Sequence, residues 1–291
     1  MSESKPKIVC IVGPTASGKT SYAIEYAEKN NGEIVSCDSM QIYKYMDIGT
    51  AKPTEYEQQR VKHHMIDIVH PNTDYSVADF KCEAKKCIDE IIEKGKLPIL
   101  CGGTGLYVDS IIKNVEFSEE KRDEAYRKSL QKMAEEKGVE AVYELLKKAD
   151  KEEAEKVHPN NLKRVIRALE ICKTTGRTKT ETDKEALGNE EYDASVYFLN
   201  PDREVLYNRI NKRVDMMIKD GLVDEVKGLL DMGIRRDSTA MQAIGYKELI
   251  SYIDGEISLS DAIDKIKQES RRYAKRQITW FKRNKNATVI V

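Results

Sequence analysis

The segment IVCIVGPTASGKTSYAIEYAE, residues 8–28, decides the fold. Its first five residues are apolar and mostly β-branched, which predicts a buried strand, and the residues from Ser21 onward follow a helical pattern. The complete phosphate-loop pattern G-x-x-x-x-G-K-[ST] lies between them and consists of Gly13, Pro14, Thr15, Ala16, Ser17, Gly18, Lys19 and Thr20. Backbone N–H groups and a helix N-terminus in this order form an anion site. The segment therefore predicts binding of a di- or triphosphate, with a charge from Lys19 and the Thr20 hydroxyl on a Mg²⁺ ion.

Composition and charge balance restrict the class of protein. The 291-residue chain has 49 Lys and Arg residues against 50 Asp and Glu, so its net charge argues neither for nor against a nucleic-acid partner. Its longest apolar runs are strand-sized, and its first residues contain no apolar signal region. We therefore expect a cytoplasmic protein without a membrane-spanning segment. The six cysteines include no C-x-x-C pair and are expected to be small buried side chains rather than disulfides or zinc ligands.

Strand-like and helical patterns alternate along much of the chain. The strand-like runs cover residues 8–12, 33–37, 65–69, 97–101, 194–199 and 287–291, and a helical pattern covers 77–93. This alternation predicts an α/β fold, a P-loop NTPase-like parallel sheet with flanking helices. Residues 118–190 are rich in Glu, Lys, Arg and Ala, which predicts an all-α insertion domain between core segments 1–117 and 191–291. Near the end of the chain, Gly221, Gly233 and Gly255 are expected helix breaks.

Asp38 stands where the second predicted strand runs into a polar turn. Ligands of open α/β sheets bind at the carboxyl ends of the strands, so Asp38 is expected at the same edge as the phosphate loop. Its carboxylate could bind Mg²⁺ through water, act as a general base, or only cap the next helix. Gln41 could offer a bidentate amide to the edge of a base. The glycine turn that contains Thr104 is either a tight turn without a ligand or a source of donors to the same edge.

Two segments of this nearly neutral chain are locally basic. One covers residues 163–179, and the other covers 271–285 and contains no acidic residue. The cations of the second segment include Arg272, Lys275 and Arg276, which could bind RNA phosphates. Its aromatic residues are Tyr273, Trp280 and Phe281. Such clusters can follow nucleic-acid phosphates, with the aromatic rings stacked on unpaired bases. The alternative is a solvent-exposed helix face whose tryptophan points into the core.

Eight strings together resemble one family. They are GPTASGKT at 13–20, SCDSMQIYKYMDIGTAKP at 36–53, HHMIDIVHP at 63–71, YSVADF at 75–80, GGTGLY at 102–107, HPNNLKRVIRALE at 158–170, AIGYKEL at 243–249 and RRYAKRQITWFKRN at 271–284. In this order they closely resemble the tRNA dimethylallyltransferases, also called tRNA isopentenyltransferases, over nearly the whole chain. The zinc-finger extension of eukaryotic relatives is absent before Val291, so the resemblance is to the bacterial type.

The resemblance implies transfer of a dimethylallyl group from dimethylallyl diphosphate to the exocyclic amine of the adenosine on the 3′ side of the anticodon, in tRNAs that read codons beginning with U. It also implies Mg²⁺ dependence and release of pyrophosphate. By similarity, Asp38 is the base, Thr15 and Lys19 belong to the catalytic site, and Arg209 and Arg213 bind the diphosphate beside the phosphate loop. The residues that meet tRNA by similarity are Asp38, Ser39, Met40, Gln41, Thr104, Lys163, Arg164, Val165, Ile166 and Arg167.

Three points stay open in the sequence. Lys163 stands where the family usually has glutamine, and a lysine cannot copy a bidentate amide contact. The phosphate loop alone would equally suit a small-molecule kinase, which would phosphorylate an acceptor from ATP and ignore tRNA. An RNA-binding GTPase is a third hypothesis, although no segment has the pattern of a guanine-specificity motif. A monomer is the expected assembly.

Overall fold

The computed structural model describes residues 5–117 and 123–291 of the chain. It divides into two compact units. One contains the chain up to Ile112 and from Glu190 onward, and the other contains Lys113–Asn189. The predicted domain boundary at Ser118 lies outside the described residues. Within the described ranges, no helix combines the length and the apolar character needed to cross a bilayer.

A parallel sheet of six strands forms the centre of the first unit, which confirms the predicted α/β fold. The strands are β1 (Lys7–Val12), β2 (Gly32–Ser36), β3 (His63–His64), β4 (Leu97–Gly102), β5 (Asp193–Leu199) and β6 (Thr288–Ile290). Their order is β3-β2-β4-β1-β5-β6. Val12 pairs with Gly102, and Ser36 pairs with Cys101. The carboxyl ends of β1, β2 and β4 therefore meet at one edge, where the three following loops come together.

Helices pack on the sheet, and the helices after β5 also pack on one another. The helices of the first unit are α1 (Lys19–Lys29), α2 (Glu55–Arg60), α3 (Val77–Glu93), α4 (Gly105–Ile112), α10 (Arg203–Lys219), α11 (Leu222–Asp231), α12 (Tyr246–Ile253) and α13 (Leu259–Phe281). Successive strand residues point to opposite faces, so Ile8 and Cys10 join one buried cluster while Val9 and Ile11 join another. The predicted helix breaks are confirmed, because Gly221 precedes α11, Gly233 follows it, and Gly255 separates α12 from α13, each with positive φ.

The described part of the second unit is helical. Its helices are α5 (Glu124–Lys137), α6 (Val139–Ala149), α7 (Lys151–Lys156), α8 (Leu162–Thr175) and α9 (Lys179–Glu185). Val142, Leu146 and Val165 are fully buried in its core. The buried Glu170 carboxylate accepts hydrogen bonds from Arg127 and Arg167, so this unit has its own apolar core and a charged network inside it.

Two predictions were wrong in detail. The strand-like run at 65–69 is not a strand, because Met65 and Asp67 have φ values of 63° and 56°, and the left-handed region is incompatible with an extended ladder. Met65 and Val69 are nevertheless buried, which explains their apolar character. The six cysteines are free thiols, but only three of them are buried. Cys87 and Cys172 are partly exposed, and Cys82 on α3 is exposed.

Candidate active site

The phosphate loop joins β1 to α1 at the carboxyl edge of the sheet. Gly18 has φ +89° and forms the N-cap of α1, which no side chain caps. The N-terminus of a helix leaves backbone N–H groups without intrahelical partners, and these groups are suited to an anion. Ser17 Oγ is buried without a hydrogen-bond partner, and the Lys19 ammonium donates to the Pro14 carbonyl at 3.3 Å. The loop thus has the local geometry that its sequence predicts.

Asp38 lies across one cavity from the phosphate loop. Thr15, Lys19, Asp38 and Arg213 all line this cavity, whose volume is about 330 Å³. Asp38 Oδ1 accepts a hydrogen bond from the backbone N–H of Met40 at 2.9 Å. The helix-cap interpretation of Asp38 is wrong, since turns follow it and the next helix, α2, is capped by Thr54. Its carboxylate is therefore placed at a cavity rather than at a helix end.

Lys19, Arg213 and Asp38 are charged groups that influence one another at the cavity. Burial lowers the pKa of the Lys19 ammonium, and the Asp38 carboxylate opposes that shift. Burial also lowers the pKa of the Arg213 guanidinium, again opposed by Asp38. Both cations are therefore partly desolvated, and among the described residues that line the cavity Asp38 is the one acidic side chain against Lys19, Arg213, Lys247 and Arg276. A polyanionic ligand would restore the charge balance there.

Apolar side chains form part of the wall of the same cavity. Its apolar side chains include Met40, Ile210, Val214, Met217, Ile244 and Ile266. Val214 and Ile266 belong to the buried cluster formed by α10 to α13, so this wall is part of a packed core rather than a mobile loop. One cavity thus combines a charged end suited to phosphates and a wall suited to hydrocarbon.

Gln277 on α13 joins two of the loops at this edge. Its Oε1 accepts from the backbone N–H of Thr15 at 2.9 Å, and its Nε2 donates to the Gly103 carbonyl at 3.0 Å. A Cβ on Gly103 would lie 2.1 Å from Gln277 Nε2, so only glycine allows this approach. One turn earlier, Tyr273 contacts Thr104, and burial raises the pKa of Tyr273 to about 12. Gln277 is a site residue that the sequence analysis did not name, and Tyr273 was named there only as a ring that could stack on a base.

The Thr104 turn serves the same edge. The Thr104 hydroxyl accepts from the Ser39 backbone N–H at 3.0 Å and lies 3.3 Å from Ser39 Oγ. The backbone N–H of Thr104 in turn donates to the Cys37 carbonyl at 3.1 Å. Because both segments are tied together, Thr104 fixes the stretch that follows Asp38.

The Gln41 amide forms hydrogen bonds within the protein. Its Oε1 accepts from the Ser36 hydroxyl at 2.9 Å, and its Nε2 donates to the carbonyls of Thr50 and Ala51 at 3.3 and 3.2 Å. A bidentate contact from Gln41 to a base would require these bonds to break. In this structure the amide instead connects the end of β2 to the loop at 50–51.

The predicted RNA-contacting residues are not all accessible. Arg272, Lys275 and Arg276 are exposed on α13, and Arg276 also lines the cavity. Phe281 is buried and Trp280 packs over Gly105, so both rings face the core rather than solvent.

In the second unit, Lys163 and Arg164 are exposed, while Val165 and Ile166 are buried in its core. Arg167 is bound to Glu170. On α10, Arg209 is exposed and does not line the cavity, unlike Arg213.

Oxygen donors for a magnesium ion meet beside Lys19. The Thr20 hydroxyl and the Asp38 carboxylate line one small cavity together with Lys19 and Arg213. Mg²⁺ in phosphate sites binds one or two protein oxygens and fills its other positions with water and substrate phosphate. The residues present fit such an ion.

The family of the chain follows from comparison with known proteins. A family model described as IPP transferase matches residues 41–284. The chain belongs to the IPP transferase family. The matched residues include the Gln41 segment, the Thr104 turn, the second unit and all of α13.

The chain is similar to known members of this family over most of their length. The chain is 53% identical to a tRNA dimethylallyltransferase of Caldanaerobacter subterraneus over 95% of this chain and 89% of the relative. It is similar in structure to a full-length tRNA isopentenylpyrophosphate transferase from Bacillus halodurans, with a TM-score of 0.73, 48% identity and coverage of 98% and 90%. A eukaryotic dimethylallyltransferase acting on tRNA has a TM-score of 0.76 and 31% identity, with coverage of 95% and 70%.

Proposed function

We propose that this IPP transferase transfers the dimethylallyl group of dimethylallyl diphosphate to the exocyclic amine of the adenosine on the 3′ side of the anticodon, in tRNAs that read codons beginning with U. The observation that supports this best is the composition of one cavity. Lys19 and Arg213 lie at its charged end, and an apolar wall built from α10, α13 and neighbouring segments completes it. An allylic diphosphate has these two characters in one small molecule, a diphosphate group and a short hydrocarbon chain.

The residues at the cavity divide the chemistry between them. The allylic carbon–oxygen bond breaks, pyrophosphate leaves with the bonding electrons, and the adenine amine nitrogen forms the new bond to that carbon. Lys19, Arg213 and the loop N–H groups neutralise the charge on the departing pyrophosphate. Asp38 takes the proton that the amine loses, a contribution of about a hundredfold or more in rate. Thr15 is held against Gln277 at the same edge, where its side chain lines the cavity.

A magnesium ion is the cofactor that the donor set suits. The Thr20 hydroxyl would hold it, with pyrophosphate oxygens and water as further ligands, and Asp38 lies near enough to line the same cavity. Bound there, the ion would supply additional positive charge at the leaving group.

Two exposed basic surfaces are candidates for the tRNA contact. One lies on α13 and includes Arg272, Lys275 and Arg276, and the other lies on α8 and includes Lys163 and Arg164. Phosphate contacts position a nucleic acid without reading its sequence. The target adenine must also leave its stack to reach Asp38, which costs a few kcal/mol. We propose that the protein acts as a monomer, and that it acts in the cytoplasm because tRNA is its substrate.

A labelled-donor assay tests this function. The protein, Mg²⁺, unmodified tRNA and dimethylallyl diphosphate with a labelled isoprenoid carbon are incubated, and label is measured in the RNA and then in its digested nucleosides. We expect label only in adenosine, and none in a tRNA whose target adenosine is replaced by guanosine. ATP hydrolysis is followed in the same mixture. Unlabelled RNA combined with phosphorylation of a small acceptor from ATP would instead establish the kinase alternative.

A further inference from the structure

A loop without helix or strand forms one wall of the cavity. This wall loop, residues 46–53, lies between β2 and α2. Gly49 and Thr50 line the cavity together with Asp38 and Lys19, and Ala51 and neighbouring residues line the adjoining space beside Thr20. Loops of this kind are mobile unless something ties down their backbone polar groups.

Glu225 ties down the wall loop through its backbone. Its Oε2 accepts from the N–H groups of Asp47 and Ile48 at 2.9 and 2.7 Å, and its Oε1 accepts from the N–H of Gly49 at 3.1 Å. The same Oε1 also accepts from the Tyr246 hydroxyl at 2.6 Å. Burial raises the pKa of Tyr246, with the Glu225 carboxylate adding to the shift, so this hydroxyl keeps its proton and donates. Hydrogen bonds to an ionised acceptor are about twice as strong as neutral ones.

The fit of the loop against Tyr246 leaves it little freedom. A Cβ on Gly49 would lie 2.4 Å from the Tyr246 ring, so the backbone passes directly against that ring. At the other end of the loop, the Gln41 amide holds the carbonyls of Thr50 and Ala51. The buried Lys52 ammonium bonds to the Tyr43 carbonyl and to Asp47. Glu225 on α11 and Tyr246 on α12 reach the loop from the helices after β5, and Glu225 supplies the hydrogen bonds to its backbone N–H groups.

We propose that Glu225 is a positioning residue for the transfer reaction, which rests on the function proposed above. Glu225 itself does not line the cavity, and it acts through the wall loop. With three consecutive N–H groups fixed, the carbonyls of Thr50 and Ala51 stay in place and hold Gln41, which lies beside Asp38 in the adjoining cavity. The acceptor base then meets a preformed wall in the cavity that the phosphate loop also lines. Misplacement of such a wall by about 1 Å can cost about a hundredfold in rate.

The isosteric variant Glu225→Gln gives a sharp test, because an amide cannot replace this carboxylate. Whichever way it turns, its NH₂ group faces either the N–H groups of Asp47 and Ile48 or the N–H of Gly49. Two donors then oppose each other, and part of the loop loses its anchor. The matched control is Asp224→Asn. Asp224 is exposed and lies in the same first turn of α11, so both variants remove one negative charge from the same helix end.

Local hydrogen exchange separates positioning from a general structural role. In Glu225→Gln we expect peptides that cover 46–53 to exchange at least about tenfold faster, while peptides that cover 13–20 and the control variant keep wild-type rates. The kcat for dimethylallyl transfer should fall about 10- to 100-fold. The inhibition constant of pyrophosphate should change less than about twofold, because the phosphate loop is untouched.

Tyr246→Phe provides a second variant if Glu225→Gln folds poorly. It removes one of the four bonds to Glu225, so we expect faster exchange confined to 46–53 and a smaller loss of kcat, about two- to fivefold. A wild-type kcat in a folded Glu225→Gln variant, or exchange that rises equally throughout the chain, would overturn the role of Glu225. A wild-type protein that fails to transfer label would overturn the function itself, and the assay of the unsubstituted chain tells the two failures apart.

Discussion

Replacing Gln277 with methionine removes the link between the phosphate loop and the Thr104 turn with little change in side-chain length. The substitution deletes the 2.9 Å bond from the Thr15 N–H and the 3.0 Å bond to the Gly103 carbonyl. The bond to Gly103 is buried, and a buried group left without a partner costs about 1–3 kcal/mol. The bond from Thr15 is only partly buried, so about 1 kcal/mol is lost there. Together the variant should lose about 2–4 kcal/mol of stabilising interaction.

The loss should be visible in catalysis as well as in stability. Thr15 lies in the cavity, and release of its N–H lets the first half of the phosphate loop shift relative to Lys19 and Asp38. We expect kcat at 25 °C to fall about 10- to 100-fold, which corresponds to about 1.4–2.7 kcal/mol of activation free energy. The dissociation constant for tRNA should change less than about threefold, and the melting temperature should fall by about 5–10 °C.

Transfer kinetics measured well below the melting transition test this reasoning. Gln268→Met is the matched control, because Gln268 is exposed on the same helix. Gly103→Ala is an independent disruption of the same contact, since its Cβ would lie 2.1 Å from Gln277 Nε2 and must displace the amide. It should reproduce the loss of kcat. A fully folded Gln277→Met variant with wild-type kcat would refute the link between this amide and the chemistry.

The remaining predictions concern the charged groups. Asp38→Asn should lower kcat about a hundredfold or more while the dissociation constant of tRNA, from filter binding, stays within about threefold; unchanged turnover would exclude Asp38 as the base. Lys19→Met should weaken inhibition by pyrophosphate and slow transfer, because the cavity loses a buried cation, and normal kinetics would contradict its leaving-group role. Replacing Arg272, Lys275 and Arg276 with glutamine should reduce the slope of log Kd for tRNA against log salt by about 2–3. An unaltered slope would assign those cations to a solvated surface.

Local sequence patterns were sufficient for the elements that lie close together in the chain. The apolar run at 8–12, the glycine loop and the helix after it are defined by residues that contact one another, so their geometry is already specified by their order. The edge position of Asp38 followed from the rule that parallel strands end together. The strand predicted at 65–69 failed for a physical reason, since the apolar residues Met65 and Val69 are buried in a segment whose backbone turns at Met65 and Asp67.

Contacts between residues that are distant in the chain could not be predicted from the sequence. Thr15 and Gln277 are 262 residues apart, and Glu225 is 176 to 178 residues from the backbone groups that it binds. Nothing in the spacing of an amide on a helix or a carboxylate in a first turn indicates such partners. The available signal was indirect, because a glycine at 103 or 49 suggests a close approach without saying to what. Gln41 shows the opposite case, where a plausible base reader is engaged by the Ser36 hydroxyl and two carbonyls.

Most of the basic segment at 271–285 lies on α13, and this helix has two different faces. Tyr273, Gln277 and Trp280 are spaced four and three residues apart, so they lie on one face, and they contact Thr104, Gly103 and Gly105. Arg272 lies one residue before Tyr273 and Lys275 two residues after it, so both cations point away from that face and are exposed. The motif therefore lies on one helix with two faces. Its aromatic and amide residues contact the loops, and its cations Arg272 and Lys275 are exposed to solvent. Substitutions on the inner face should change kcat, whereas substitutions on the outer face should change the salt dependence of tRNA binding.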